Sequence, residues 1–180
     1  MTELQGSRLV LRQWSVNDAQ SLLEAFSDPE VMQHWDSPAM QSLGELEAYI
    51  SRSISVSDNH HCAYVVELRE TGEITGFVNY HHRETAHRRL ELGYLMKQRY
   101  WRRRLAREAM QVLIGHCFDE LDAYRIEATV SPGNDASMGL LRSLGFICEG
   151  GPMRARLWTS DGRKRRCCMD PRVALQVGLT

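Results

Sequence analysis

Residues Glu91 to Leu121 read ELGYLMKQRYWRRRLAREAMQVLIGHCFDEL, and the fold of the chain turns on this stretch. Leu90 to Met96 alternates as a strand, with Leu92, Tyr94 and Met96 on one face and Glu91, Gly93 and Leu95 on the other. From about Arg102 to Glu120 the apolar residues recur at helical spacing. Leu105, Ala109, Val112, Leu113, His116, Cys117 and Leu121 form the expected buried stripe. A strand that passes through a turn into a helix start gathers unpaired N–H groups and the positive end of the helix dipole at one point. Such a junction is an anion site made of main chain. Arg99, Arg102, Arg103, Arg104 and Arg107 add cationic side chains to it.

Working outward, Leu9 to Gln13 alternates as a first strand, and Ser15-Val16-Asn17-Asp18 opens a helix carrying Ala19, Leu22, Leu23 and Phe26. Asp28-Pro29 stops that helix. A second helix is predicted over Leu43–Ile54, with Leu46, Tyr49, Ile50 and Ile54 inward. Cys62–Leu68 and Ile74–His81 are rich in β-branched and aromatic residues and are joined by a loop containing Gly72, which predicts an antiparallel hairpin. Beyond the central helix, Arg125–Ser131 reads as a strand with Ile126, Ala128 and Val130 on one face. Asn134 caps a short helix lined by Met138, Leu140, Leu141 and Leu144 and ended by Gly145. Phe146–Glu149 begins another strand, and Ala155–Thr159 with Arg165–Met169 form an expected closing hairpin around Ser160-Asp161-Gly162. The order predicts a mixed α/β fold around one twisted sheet, in a single domain over residues 1–180.

Composition narrows the function. At 180 residues, 43% hydrophobic and net charge -1, the chain is not held to nucleic acid by bulk charge, and local arginine clusters on a near-neutral protein point to a small anionic ligand. The five cysteines contain no CxxC pair and are odd in number, which suits reduced, mostly buried thiols. With no apolar leader and no membrane-length apolar run, a cytoplasmic location without a membrane partner is expected. The seven histidines, His60-His61 and His81-His82 among them, form no HxxxH and join no cysteines at ligand spacing, so no metal is expected.

RLVLRQWSVNDAQSLLEAFSDPEVMQHW, ELGYLM, YW followed by a turn and LAREA, and VSPGNDASMGLLRSLGFICEG occur in an order and spacing that resemble the GNAT superfamily of acyl-CoA N-acyltransferases. Within it, the chain resembles the ribosomal-protein-alanine N-acetyltransferase type. The resemblance covers nearly the whole chain. It implies a mostly antiparallel sheet splayed between the strands at Leu92–Met96 and Arg125–Ser131, flanked by about four helices. It also implies acetyl-CoA as co-substrate, with the pantetheine in the splay and the pyrophosphate on the turn at Arg102 to Ala106. Cofactor contacts carry over to Leu95, Met96, Arg102, Arg103, Arg104, Leu105, Ala106, Arg107, Asn134, Ser137 and Arg142. The family's turn reads W-G-x-G-x-A, whereas here Arg102 and Arg104 stand in place of the glycines. Glycine serves such loops through positive φ and close backbone approach. Left-handed arginine costs roughly 1–2 kcal/mol, and an Arg–phosphate bond returns roughly 1.5–3 kcal/mol.

Acyl transfer to an amine requires a proton acceptor, a donor to the thioester oxygen and an acid for the thiolate. The resemblance assigns the first role to Glu91 acting through a water; a salt bridge from Glu91 to Arg88 or Arg89 is the structural alternative. Ser137 is the candidate for the thiolate, or an ordinary residue of a helix start, and Asn134 holds the pantetheine arm, caps the helix, or does both. A strand N–H near Leu95 is the candidate oxyanion donor. His81 or His82 is an alternative base. An α-amine near pKa ~7.7 costs about 1 kcal/mol to deprotonate at pH 7 and a lysine near ~10.4 about 4–5 kcal/mol, so a modest carboxylate suits an α-amine or a small amino compound. Arg163-Lys164-Arg165-Arg166 suits an acidic partner such as ribosomal RNA, with a solvated turn preferred and no specific nucleic acid expected. A homodimer is compatible with the sequence, but no residue demands one. Arg102 and Arg104 also motivate a second reading, a domain of this fold that has lost catalysis and binds a ligand or partner.

Overall fold

The computed structural model describes residues 3–55 and 60–148, and the backbone of 165–169. Eight strands form one sheet in the order β1-β2-β3-β4-β5-β6-β8-β7. They are β1 (Leu4–Gln5), β2 (Leu9–Gln13), β3 (Cys62–Leu68), β4 (Ile74–Glu84), β5 (Arg89–Met96), β6 (Arg125–Val130), β7 (Ile147–Cys148) and β8 (Arg165–Met169). Among the described residues five α-helices join them: α1 (Ala19–Phe26), α2 (Pro29–Met32), α3 (Leu43–Ser55), α4 (Leu105–Asp119) and α5 (Asp135–Ser143). Every pairing is antiparallel except that of β5 with β6. The mixed α/β fold and the mostly antiparallel sheet are as expected.

The parallel pair is short. It runs through Arg89–Arg125, Leu90–Ile126 and Glu91–Glu127 and stops. Beyond Glu91, among the described residues, β5 keeps a partner only in β4, while β6 continues against β8. This is the expected splay. Its closed end is clamped by Arg88, whose carbonyl accepts the N–H of Tyr124 at 2.6 Å and of Arg125 at 3.0 Å.

The sheet separates two cores. Leu92, Tyr94 and Met96 of β5 meet Ile126, Ala128 and Val130 of β6 beneath α4 and α5. Leu95 meets Trp14, Phe26, Phe77, Leu46 and Ile50 beneath α1 and α3. The period-2 pattern dictates the division, since alternate residues of one strand must serve opposite layers.

Several boundaries and faces differ from expectation. Helix α4 begins at Leu105 rather than Arg102, because Arg102 (φ 61) and Arg104 (φ 62) are left-handed and cannot continue a right-handed helix. Its buried face is rotated toward Met110 and Ile114, while Val112 and His116 sit half-buried at the edge. Ile54, on the last turn of α3, is 42% exposed. Asp28-Pro29 ends α1 but also starts α2, Asp28 accepting the Glu30 N–H and Pro29 taking the first helical position. The expected strand Ala155–Thr159, the loop 160–162, and Arg163 and Lys164 lie outside the described residues. Arg165–Met169 is a strand, paired with β6 and β7.

Buried Asp18 ties the start of α1 to β2. It accepts both terminal nitrogens of Arg12, at 2.8 and 3.0 Å, and the Ser15 N–H at 2.7 Å. Burial works to raise this carboxyl, but the bonds from Arg12 and Ser15 outweigh it and hold the group below the usual carboxylate range. A carboxyl depressed in the folded state stabilises above its unfolded pKa, and that stabilisation is lost as the pH falls below about 4. Asp18→Asn is therefore expected to cost about 1–3 kcal/mol at pH 7 and to flatten the acid limb of the melting-temperature profile. An unchanged acid limb would assign that limb to other carboxylates.

Candidate active site

Glu91 lies at the fork, on the last rung that joins β5 to β6. Its side chain is 16% exposed. Neither neighbouring arginine takes it: Arg88 pairs with Asp122 and Arg89 with Glu84. Glu91 instead faces two imidazoles, His82 Nδ1 at 3.5 Å and His81 Nε2 at 3.9 Å. Burial holds His81 below its usual value against the pull of the Glu91 carboxylate. Two rungs along the same face, Gly93 leaves room for the Asn79 amide. A Cβ there would lie 2.5 Å from Asn79 Oδ1 and 3.4 Å from the Trp35 ring. Asn79 Oδ1 is buried without a hydrogen-bond partner among the described residues.

The opposite face carries a second polar set. Tyr94 donates its hydroxyl to Ser137 Oγ at 2.9 Å, and the Ser137 N–H donates to Asn134 Oδ1 at 3.0 Å. Asn134 is thus a helix cap. Burial pushes the Tyr94 phenol above its ordinary value, so it stays protonated and leaves the Ser137 hydroxyl hydrogen free for a third group. Leu95 and Met96 lie in the half of β5 whose outward N–H groups have no ladder partner.

The turn between β5 and α4 is tightly anchored. Trp101 Nε1 donates to the Met96 carbonyl at 2.8 Å. Arg8 donates to the Glu108 carboxylate through its N–H at 2.6 Å and Nε at 2.7 Å, and to the Arg103 carbonyl at 3.3 Å. Arg103 stacks over Tyr100 at 5.3 Å. Arg99 is occupied by Glu24 and Glu73. The exposed guanidiniums of Arg102 and Arg104 have no ion-pair partner among the described residues. Arg107, half-buried at the start of α4, reaches toward the Ser143 carbonyl while its Nε has no partner. Leu105 is buried and Ala106 half-buried behind the turn, and Arg142 is exposed on α5.

These residues suit an anionic, thioester-bearing ligand. Two left-handed positions keep the shape that glycine gives such a turn, the first helical turn offers N–H groups, and Arg107 holds an unpaired donor. Sequence reasoning missed Tyr94, Asn79 and Arg8. Asn79 carried a signal, a polar residue within the buried apolar run ITGFVNYH. Tyr94 carried one in its parity with Leu92 and Met96.

The acetyltransferase (GNAT) domain family matches residues 8–147, and the chain belongs to that family. It is 31% identical over 148 residues to the uncharacterized N-acetyltransferase YoaA of Bacillus subtilis, covering 82% of this chain and 84% of that protein. It is 32% identical over 151 residues to the uncharacterized N-acetyltransferase p20 of Bacillus licheniformis, covering 83% and 85%. Its fold is that of RimL, a ribosomal L7/L12 alpha-N-protein acetyltransferase solved in complex with coenzyme A (TM-score 0.81, 17% identity, 94% of this chain and 98% of that one). The spermidine N-acetyltransferase of Vibrio cholerae, solved with CoA and spermine, is similar to the same degree (TM-score 0.80, 22% identity, 94% and 99%). Among the described residues no helix is long and apolar enough to cross a membrane.

Glycine at Arg104 would relieve roughly 1–2 kcal/mol of left-handed strain and add roughly 0.5–1 kcal/mol of unfolded-state entropy. Arg104→Gly is therefore expected to raise the melting temperature by about 1–3 °C, whereas Arg104→Ala gives no gain. A fall with Arg104→Gly would mean that the arginine side chain itself holds the turn.

Proposed function

We propose that this chain transfers the acetyl group of acetyl-CoA to a primary amine by direct attack, with Glu91 receiving the amine proton through a water. The parting of β5 from β6 just beyond Glu91 carries the reading, because it sets the carboxylate where the two faces of the sheet communicate. Acetyl-CoA supplies an activated acyl carbon and a thiolate leaving group. The turn at Arg102 to Ala106, with Arg107, would hold the phosphates on main-chain N–H groups and guanidiniums. N–H groups of β5 near Leu95 and Met96 would receive the thioester oxygen. As the N–C bond forms and the C–S bond breaks, the ammonium proton passes to Glu91, and the sulfur leaves as a thiolate that accepts a hydrogen bond from the Ser137 hydroxyl, with Tyr94 holding the Ser137 oxygen.

The acceptor is a protein N-terminal α-amine or a small amino compound. The Glu91 side of the sheet offers it the Trp35 ring and the unpaired Asn79 oxygen. An α-amine needs about 1 kcal/mol to lose its proton at pH 7, within the reach of a carboxylate.

Three measurements test this reading. Glu91→Gln should lower kcat/KM by about 10²–10⁴-fold with CoA binding intact, and an unchanged kcat/KM at every pH removes Glu91 as the base. Calorimetry should show CoA binding that weakens when Arg102 and Arg107 are neutralised. No heat at millimolar CoA would leave instead a GNAT domain that has lost catalysis and serves another ligand. Tyr94→Phe should lower kcat more than it raises KM, as expected of a residue that positions Ser137.

A further inference from the structure

We infer that His81, His82 and Glu91 form a binding site for a divalent transition-metal ion of the zinc type, and that its occupancy switches acetyl transfer off. Consecutive residues of a strand point to opposite faces, so adjacent histidines ordinarily cannot share a ligand. Here the β4–β5 ladder is irregular between His81 and Glu84, and His82 adopts a left-handed backbone with φ 50. That local reversal turns both imidazoles toward Glu91, the cross-strand partner of His81, and brings the rings to 4.7 Å centroid to centroid.

One ligand atom from each of the three residues lies within 4.8 Å of the other two. A tetrahedral ion with bonds of 2.0–2.1 Å places its ligands about 3.3 Å apart. The separations from Glu91 Oε2 are already 3.5 Å to His82 and 3.9 Å to His81. The His82 side chain is 78% exposed and can supply the remaining closure by rotation, and the same exposure gives the ion its route from solvent. Two imidazoles and one carboxylate suit zinc or cobalt rather than magnesium or calcium, and three protein ligands leave a fourth position for water.

The inhibitory consequence rests on the reading of Glu91 as base, since a divalent ion on one carboxylate oxygen lowers the basicity of the whole group that must take the amine proton. Binding itself does not depend on that reading. Titration of the full chain with ZnCl2 should show tight binding that weakens at least about tenfold in both His82→Gly and His81→Asn. Glycine suits the left-handed position, so the melting temperature of His82→Gly should not fall. CoCl2 should give a visible d–d spectrum in wild type that both variants lose. Zinc at saturation should suppress CoA release over a panel of primary amines, and His82→Gly should abolish the dependence of the rate on zinc. Equal zinc affinity in wild type and both variants would overturn the site. Binding lost in the variants, with CoA release indifferent to saturating zinc in wild type, would retain the site and overturn the switch together with the base role of Glu91.

Discussion

The structure depends on one interrupted ladder. β5 and β6 share three rungs and then part, and the position of Glu91 at the fork follows from that separation. An interrupted parallel pair leaves main-chain groups without partners, which is costly unless something else stabilises both strands. β4 does so for β5 from Glu91 to Met96, and β8 does so for β6 through Val130. The gap is thus held open by the sheet on either side, while Arg88 clamps its closed end. Each strand also roots its side chains in packed layers, so neither can drift across to the other without vacating core positions.

The turn that follows β5 shows how side chains can support a backbone shape normally left to glycine. Arg102 and Arg104 are both left-handed. The surrounding contacts over-determine them: the Trp101 indole on the Met96 carbonyl, the Arg8 guanidinium on the Arg103 carbonyl, and Glu108 gripping Arg8. The strain remains, but it is distributed into a network that begins in the loop between β1 and β2. In exchange the turn presents to solvent two guanidiniums with no ion-pair partner among the described residues.

Much of this was legible in the amino-acid order. Alternation set the two faces of β5, the Gly72 loop set the hairpin of β3 and β4, and Asn134 with Gly145 bounded α5. Glu91 and Ser137 could be singled out only through the resemblance to the GNAT family, since strand parity and helix capping alone left a salt-bridged glutamate and an ordinary helix-start serine open. What was hidden depended on pairing between distant segments. The bulge that swings His82 beside His81 is a property of the ladder, not of the run NYHHRE, and the bond from Tyr94 to Ser137 joins elements 43 residues apart. The rotation of α4 toward Met110 and Ile114 was likewise set by the sheet beneath it, since the helix's own periodicity admits two neighbouring faces.

Trp101 has a consequence that reaches beyond its one hydrogen bond. By fastening the cationic turn to the carbonyl of Met96, the last residue of β5, it makes a straight strand the spacer between that turn and the fork at Glu91. Five residue steps at about 3.3 Å each fix this span at about 17 Å. The protein therefore carries a ruler: how far a ligand anchored at the turn reaches along β5 toward the fork is set by the length of its arm, whatever the chemistry of the group it carries.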